Sequence, residues 1–333
     1  MKSGTNNNQK RKGNSMENKR KSYVELDAML LTLRVGEAGE FRNLKVFPIF
    51  SSYPVSNGYT LLDDAVKTGK FVVKEISEGG SVPNLKVINQ LDEDVLILDG
   101  EALVGAKQNR IVNTTIIIGK MKEVVIPVSC VEQGRWRYSR NNFTSGDAPL
   151  YSALRMKKSR SVTESLRANM SFRADQNEIW DDIAQKSARF SVNSDTQDMH
   201  DIYKNREEDL KKYEESFNPE PGQTGFVAVI NNEVVGCDIF GRKNILPRVY
   251  TKLLKGYILD ALDRKVTGRE TFSRRKNDAK EKAELFLDGL KTVRKEVFKS
   301  AGEGEDIRLE DKNLSGFALV HNNNVIHFAA FAG

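Results

Sequence analysis

Four short apolar runs between residues 85 and 132 constrain the fold more than any other feature of the sequence. They read LKVIN, DVLIL, RIVNTTIII and EVVIPVSCVE, are rich in β-branched residues, and are broken by Gly, Pro, Asn and Asp. Such runs are typical of β-strands, and their spacing predicts a β-sandwich or a small barrel. Residues 61–68, followed by Gly69, predict a short helix before them. The alternation of FVVKEI predicts a further strand.

The chain is predicted to form one α+β domain over residues 23–333. Residues 23–148 carry mostly strand signals, whereas the apolar positions of residues 149–217 recur at helical spacing. Residues 218–333 combine helices with two β-hairpins. The expected architecture is therefore a β-rich, sandwich-like or barrel-like half, a central helical segment and a C-terminal α+β part.

Two ten-residue segments of the C-terminal part are similar to each other. Residues 225–234 read GFVAVINNEV and residues 316–325 read GFALVHNNNV. Each predicts a β-hairpin that turns at Asn-Asn, because asparagine tolerates the positive φ of tight hairpin turns. The pair indicates either an internal duplication or two edge hairpins of one sheet. Helices are predicted between them, at residues 247–264 and 277–300.

The positive charge of the chain is concentrated at its N-terminus. Residues 1–21 contain seven lysines and arginines against one glutamate, a surplus equal to the net charge of +6 of the whole chain. Residues 1–22 lack the apolar content needed for order and are predicted to be a disordered basic tail. The tail is interpreted either as an appendage without a binding role or as a weak, nonspecific contact for polyanions. Nucleic acid is not expected as a partner elsewhere.

The cysteine, histidine and hydropathy patterns argue against several protein classes. Cys130 and Cys237 form no CxxC motif, and only three histidines are present, so the usual zinc and iron-sulfur motifs have little support. No cofactor is expected, except Mg²⁺ held through the phosphates of a ligand. The sequence contains no apolar run long enough to cross a membrane and no recognisable signal peptide. The protein is therefore expected to be cytoplasmic, without membrane contact.

Residues 98–110, LDGEALVGAKQNR, place glycines, charged side chains and amides directly after an apolar strand. The glycines would let the backbone approach a ligand closely, although the spacing matches neither a Walker loop nor GxGxxG. If residues 107–118 are extended, Gln108 and Arg110 share one face with Val112 and further apolar residues. Polar side chains at the end of a buried face predict the rim of a cavity, where a guanidinium can bind phosphate or carboxylate bidentately.

The same alternation in residues 124–132 places Cys130 and Glu132 at the end of an apolar face. Arg135 then adds a cation, and Trp136 adds an aromatic plane that can stack on a base or sugar. Two interpretations of the polar strand ends stay open, namely ligand contacts or a buried salt-bridge network that joins two strands. For Cys130, which has no neighbouring histidine in sequence, an inert core thiol is favoured over a nucleophile.

Two segments of this region, GEALVGAKQNR and IPVSCVEQGRW, resemble the family of ARG and rhodanese-phosphatase-superfamily-associated proteins, formerly a domain of unknown function. The resemblance extends through LLDDAVKTGKFVVKEI and DQNEIW and covers residues 23–333. It implies an α+β domain that genome context associates with ADP-ribosylglycohydrolases and related nucleotide-processing enzymes, and hence a link to ADP-ribose or NAD chemistry. The polar motif of the family falls on Glu101, Lys107, Gln108, Arg110, Glu132, Arg135 and Trp136.

We therefore predict a domain that binds, and either hydrolyses or senses, an anionic nucleotide-type ligand related to ADP-ribose or NAD. Lys107, Arg110 and Arg135 would bind its phosphates. Trp136 would stack on the base or the ribose.

Whether the domain is an enzyme stays open at this point. If it catalyses a reaction, Glu132 or Glu101 is the candidate general acid or base, since burial at the rim of an apolar cavity raises a carboxyl pKa. The alternative is a non-catalytic assembly or regulatory protein that acts through contacts in a homo-oligomer. In that case the Asn-Asn hairpins would serve as interaction edges, because exposed strands readily add partners.

Overall fold

A large antiparallel sheet and a small barrel hold most strands of the computed structural model, which describes residues 20–55, 58–266 and 278–333. The strands are β1 (Arg34–Val35), β2 (Gly39–Phe41), β3 (Leu44–Phe50), β4 (Thr60–Leu61), β5 (Phe71–Lys74), β6 (Asn84–Asn89), β7 (Val95–Ile97), β8 (Ala102–Gly105), β9 (Arg110–Val112), β10 (Ile116–Ile118), β11 (Glu123–Cys130), β12 (Phe143–Ser145), β13 (Gly225–Ile230), β14 (Glu233–Phe240), β15 (Arg294–Lys299), β16 (Glu305–Asp311), β17 (Leu314–His321) and β18 (Asn324–Ala332).

Helices cover both faces of the large sheet, and the predicted α+β class is confirmed. In the described ranges they are α1 (residues 20–31), α2 (Leu62–Lys67), α3 (Ser152–Asn169), α4 (Gln176–Arg189), α5 (Met199–Asn205), α6 (Glu207–Glu214), α7 (Leu246–Val266) and α8 (Asp278–Thr292). None of these helices is both long and apolar enough to span a bilayer.

The large sheet has the strand order β1-β3-β13-β14-β18-β17-β16-β15, with β2 paired to β3, and all neighbours are antiparallel. Both predicted Asn-Asn hairpins, β13–β14 and β17–β18, lie side by side at its centre. Each of their four strands has a partner on both sides. The prediction that these hairpins serve as interaction edges is therefore wrong, because their backbone groups are already paired within the sheet.

The two halves of this sheet are related by an approximate two-fold axis. Reading outward from the central β14–β18 pair, one half has β14, β13, β3 and β1, and the other has β18, β17, β16 and β15. Each half begins with a helix, α1 before β1 and α8 before β15. The barrel and α2 to α6 are inserted between β3 and β13.

The register of the two hairpins is equivalent as well. The first hairpin shifts register between Ala228 and Val229, and the second shifts at the matching point of the similar segment, between Leu319 and Val320. A register shift at the same position in both hairpins is stronger evidence of a common origin than the presence of two strands in each. Of the two interpretations of the repeat, these observations favour an internal duplication.

The hairpin turns depend on asparagine, and replacement of Asn323 is expected to show this. Asn322 and Asn323 have φ values of 49° and 57°, the left-handed conformation that a type I′ turn requires. Asn323→Ala should lower the free energy of unfolding by about 1 kcal/mol, because alanine adopts this conformation at a cost. Asn323→Gly should leave it unchanged or slightly higher. Urea denaturation measures both, and equal values for the two variants would contradict the turn assignment.

The barrel is closed by six strands in the order β11-β6-β5-β12-β8-β9. Its inner side chains are apolar and include Phe71, Val73, Leu85, Val87, Val112, Ile126, Val128 and Phe143. The predicted helix over residues 61–68 is confirmed as α2, which packs into the same apolar cluster together with β7 and β10. One end of the barrel is therefore filled by apolar residues.

The large sheet separates two further apolar clusters. On one face, α1 contributes Leu26 and Met29 and α8 contributes Ala283 and Leu287 to a common core. The opposite face packs against α3, α7 and the inserted barrel. The insertion thus packs on this second face, and it also contacts the β15–β16 turn, where the backbone N–H of Glu303 donates to Ile117 O at 2.9 Å.

Several predicted boundaries are corrected by the structure. Residues 20–22, assigned to the tail, and residues 23–31, assigned to the β-rich part, are helical as α1. Residues 1–19 lie outside the described residues. The helix predicted over residues 277–300 ends at Thr292, and the chain continues as β15, because pairing with β16 replaces the helical hydrogen bonds.

Candidate ligand site at the end of the barrel

Three barrel strands end in polar side chains, at the end opposite α2. Arg110 begins β9, Cys130 ends β11, and Glu75 directly follows β5. Arg110 and Cys130 are paired in register. Arg110 and Glu75 continue the inner rows of Val112 and Val73, because successive side chains of a strand alternate between its faces. All three polar side chains are buried.

The guanidinium of Arg110 is 0% exposed and has a single hydrogen-bond acceptor in the described part of the chain. Its Nη1 donates to Gln108 Oε1 at 2.7 Å, and Gln108 Nε2 donates to Gln133 O at 3.3 Å. Gln108 thereby fixes the plane of the guanidinium. The extended segment predicted over residues 107–118 is wrong, because residues 106–108 form a bend before β9 and residues 113–115 separate β9 from β10. Gln108 meets Arg110 from this bend and not from a shared strand. The remaining nitrogens of Arg110, Nε and Nη2, meet no acceptor in the described part of the chain.

These two nitrogens lie on the same side of the Arg110 side chain. The Nε–H and one N–H of Nη2 are parallel and form a fork that can bind a carboxylate or phosphate with two hydrogen bonds. A buried polar group without a partner costs about 1–3 kcal/mol, and a charged one costs more. Burial also lowers the pKa of Arg110, although nearby Cys130 and Glu75 oppose this change. The fork is therefore suited to an anionic partner.

Glu75, which the sequence analysis did not select, lies beside the fork. Its carboxylate is buried, and Oε1 lies 4.0 Å from Arg110 Nη2, too far for a direct hydrogen bond. Neither carboxylate oxygen has a donor among residues 20–55, 58–266 and 278–333. A signal for Glu75 was present, since the alternation of FVVKEI places it on the same face as Phe71 and Val73.

Trp136, Lys107 and Gly80 form a cap over this end of the barrel. The Trp136 ring is 47% exposed, and its centroid lies 5.6 Å from Arg110 Cζ and 5.4 Å from Lys107 Nζ. Lys107 Nζ also lies 5.2 Å from the ring centroid of Tyr138. A β-carbon built at Gly80 would lie 3.2 Å from both Lys107 and Trp136. The cap therefore combines a cation with aromatic rings that remain partly accessible.

Cys130 contributes a neutral group to the barrel end. Burial raises the pKa of its thiol to about 11, which keeps the thiol protonated at neutral pH. Its Sγ lies 4.0 Å from the carbonyl oxygen of Val82. These features agree with an inert thiol rather than a nucleophile.

Glu132 and Arg135 form a salt-bridge network beside the site. Glu132 Oε1 accepts from Arg135 Nε at 2.7 Å, and Oε2 accepts from the backbone N–H of Asn109 at 3.0 Å. The Nη1 of Arg135 donates to Ala106 O and its Nη2 donates to Asn109 Oδ1. Of the two open interpretations, the salt-bridge network describes this pair, and the fork of Arg110 is not part of it.

The network continues from Asn109 to a histidine. Asn109 Nδ2 donates to Asp198 Oδ2 at 2.8 Å, and His200 Nδ1 lies 2.8 Å from Asp198 Oδ1. Burial alone would raise the pKa of Asp198, but hydrogen bonds from His200 and Asn109 lower it. Asp198 is therefore a fixed anion that orients both neighbours.

Glu101 belongs to a separate cluster. Lys252 Nζ donates to Glu101 Oε1 at 2.8 Å, to Ser145 Oγ at 2.7 Å and to both oxygens of Asp63. Burial opposes the charge of Lys252, but Glu101 and Asp63 raise its pKa. Because Glu101 Oε2 also accepts from the backbone N–H of Leu98, both of its oxygens are engaged.

A polar cleft of about 490 Å³ lies elsewhere in the fold, between α3, α4 and α7. Its buried cation Lys186 bonds to Asp260 at 2.7 Å and to Asp263 at 3.0 Å, and Arg189 bonds to Asp263 as well. These charges have hydrogen-bond partners, whereas Nε and Nη2 of Arg110 and both carboxylate oxygens of Glu75 have none in the described ranges. In neither place, nor elsewhere in the described ranges, do three or more His, Cys, Asp or Glu side chains form a group that could hold a metal ion.

The fold and the site define an α+β protein in which a six-stranded barrel, inserted into a two-fold repeated sheet, ends in buried charged side chains. The chain belongs to the family described as ARG and Rhodanese-Phosphatase-superfamily-associated Protein domain, whose model matches residues 32–331. The resemblance noted from the sequence is thereby confirmed. No curated protein and no solved structure matches the chain.

Proposed function

We propose that the protein binds an anionic nucleotide-type ligand at the capped end of the barrel. The observation that carries the proposal is the buried fork of Arg110, whose Nε and Nη2 have no acceptor within the described ranges. A phosphate of the ligand would accept from both nitrogens while Gln108 holds the guanidinium in place. Trp136 and Tyr138 are about half exposed and offer rings on which a base can stack.

ADP-ribose and NAD are the proposed ligands, from the chemistry that the family resemblance implies. A diphosphate needs more than one cation, and Lys107 in the cap would supply the second. Mg²⁺ would enter only with the ligand's phosphates. No catalytic step is proposed, because Glu101 and Glu132 are both engaged in ion pairs.

Binding requires the cap to move, because the Arg110 guanidinium is completely buried. Trp136 contacts this guanidinium, so its indole should change environment when a phosphate takes the fork. The chain has two tryptophans, Trp136 and Trp180. In a Trp180→Phe background, the fluorescence of Trp136 should therefore change on titration with ADP-ribose.

Calorimetry of the full chain tests the proposal with ADP-ribose, NAD and pyrophosphate. Arg110→Lys keeps the positive charge and removes the fork. Because hydrogen bonds to charged groups contribute about 1.5–3 kcal/mol, this variant should bind each ligand about 10–100-fold more weakly. The measured quantity is the dissociation constant at one fixed salt concentration.

Arg137→Lys serves as the matched control, since Arg137 is exposed on the same loop as Trp136. Its dissociation constants should lie within about threefold of wild type, because a solvent-exposed cation contributes little. Circular dichroism checks that both variants are folded. Unchanged affinity in Arg110→Lys, or no binding of any of the three ligands to wild type, would overturn the proposal.

A further inference from the structure

We infer that the ligand of this site carries two neighbouring hydroxyl groups, as a ribose does, and that Glu75 binds them. The inference rests on the proposed function and adds the class of sugar to it. It starts from the same place in the fold, the barrel end where β5 and β9 meet the cap. Two observations carry it, namely the absence of a donor to the Glu75 carboxylate in the described ranges and the 4.0 Å separation of Oε1 from Arg110 Nη2.

The carboxylate of Glu75 restricts which anions can use the fork. Oε1 of Glu75 lies 4.0 Å from Arg110 Nη2, so a phosphate on the fork would come close to a second negative charge. Like charges at this separation in a buried site repel strongly. A suitable ligand must therefore bring hydrogen-bond donors to Glu75 together with the phosphate for Arg110.

A hydroxyl group fits the gap between the two side chains. A separation of 4.0 Å between Nη2 and Oε1 places one oxygen within hydrogen-bond range of both atoms. That oxygen must accept from Nη2 and donate to Oε1, and a hydroxyl can do both whereas a phosphate oxygen without a proton cannot. Nη2 has two N–H groups, so it can complete the fork and contact the hydroxyl as well.

The second carboxylate oxygen of Glu75 can accept a hydrogen bond from a second hydroxyl of the ligand. Glu75 Oε2 also lacks a donor in the described part of the protein, and the two oxygens of a carboxylate accept readily from adjacent hydroxyls. Dinucleotide-binding proteins use an acidic side chain in this way to hold a ribose hydroxyl. The geometry therefore favours a ribose over a deoxyribose.

Gly80 of the cap lies next to Oε2 of Glu75. A β-carbon at Gly80 would lie 3.4 Å from Glu75 Oε2 and 3.2 Å from Trp136 Cζ2. Any larger residue at this position would therefore occupy the approach to the carboxylate. Movement of Trp136, which binding requires, uncovers Arg110 and this side of Glu75 together.

The experiment compares AMP, 2′-deoxy-AMP and pyrophosphate by calorimetry on the full chain. Wild type should bind AMP about 10–100-fold more tightly than 2′-deoxy-AMP, because a hydrogen bond to a charged acceptor is lost. In Glu75→Gln this preference should fall below about threefold. Pyrophosphate, which has no hydroxyl, should bind Glu75→Gln at least as tightly as wild type, since the like charge is removed.

Glu78→Gln is the control, because Glu78 is exposed on the same loop and should keep the wild-type preference. Equal affinity of wild type for AMP and 2′-deoxy-AMP, or a preference that survives in Glu75→Gln, would overturn the inference. If pyrophosphate binding still depends on Arg110 in that case, the proposed function stands without the diol. If wild type binds none of AMP, pyrophosphate, ADP-ribose and NAD, both proposals fail.

Discussion

Replacement of Arg155 by methionine is expected to lower the free energy of unfolding by about 3–5 kcal/mol at pH 7. Arg155 lies on α3 and donates to two buried aspartates. Its Nη1 and Nη2 bond to Asp238 at 2.8 Å each, and its Nε bonds to Asp99 at 3.0 Å. Methionine fills a similar volume but leaves Asp238 as a buried anion without its cation, and this accounts for the expected loss.

Lowering the pH should reduce the difference between Arg155→Met and wild type. In wild type, burial would raise the pKa of Asp238, but Arg155 and His327 hold it well below its usual range. Because the pKa of Asp238 is lower in the folded protein than in the unfolded chain, where it is near 3.9, ionised Asp238 stabilises the fold at pH values above about 3.9. This stabilisation is lost as the pH falls. In the variant, burial dominates and Asp238 takes up a proton at higher pH. The difference should therefore be smaller at pH 5 than at pH 7.

Urea denaturation at both pH values measures these effects, and Lys157→Met is the matched control. Lys157 lies on the same helix, but its side chain is 46% exposed and pairs with Asp182. Such a pair contributes about 0–1 kcal/mol. A loss in Arg155→Met no larger than in the control, or one that does not change with pH, would contradict the role assigned to the network.

This network explains how the barrel is held on the sheet. Lys158 on α3 bonds to Asp99 of the barrel segment and to the backbone carbonyl of Asn113. Asp238 of the central strand β14 also accepts from Tyr257 on α7. One cluster of opposite charges thus joins the insertion to the strand beside the two-fold axis. Sequence patterns could not reveal it, because its members are distant in the chain and meet only in the folded state.

Local patterns predicted the features that depend on near neighbours. Strand alternation placed Arg110 in the same row as Val112 of β9, and the Asn-Asn pairs identified both hairpins. Gln108 lies in the bend before β9, where alternation does not apply. The alternation also selected Glu132. In the structure this carboxylate pairs with Arg135 three residues later, a contact that a strand pattern does not predict.

The features that the sequence did not predict depend on distant parts of the chain. Residues 294–299 have no strand pattern of their own and are extended because they pair with β16. Glu75 and Arg110 come together only because the barrel closes. The polar end of the barrel was therefore predicted in part, with its cation identified and its carboxylate missed.

Replacement of Gly304 by alanine is expected to lower the free energy of unfolding by about 3 kcal/mol. Gly304 lies in the turn between β15 and β16 and has a φ of +86°, which costs an alanine about 1–2 kcal/mol. A β-carbon there would also lie 2.2 Å from the carbonyl oxygen of Val320 on β17. Relieving that overlap requires a backbone shift that costs about 1–3 kcal/mol more.

Gly69→Ala separates these two contributions. Gly69 has a comparable φ of +71°, but a β-carbon there would meet no heavy atom within 4 Å. Its replacement should therefore cost only the conformational part, about 1–2 kcal/mol. The excess loss in Gly304→Ala, measured by urea denaturation under the same conditions, reports how tightly the β15–β16 turn packs on β17. Equal losses in the two variants would show that the turn can move away from Val320, and the close packing of this sheet edge would then be ruled out.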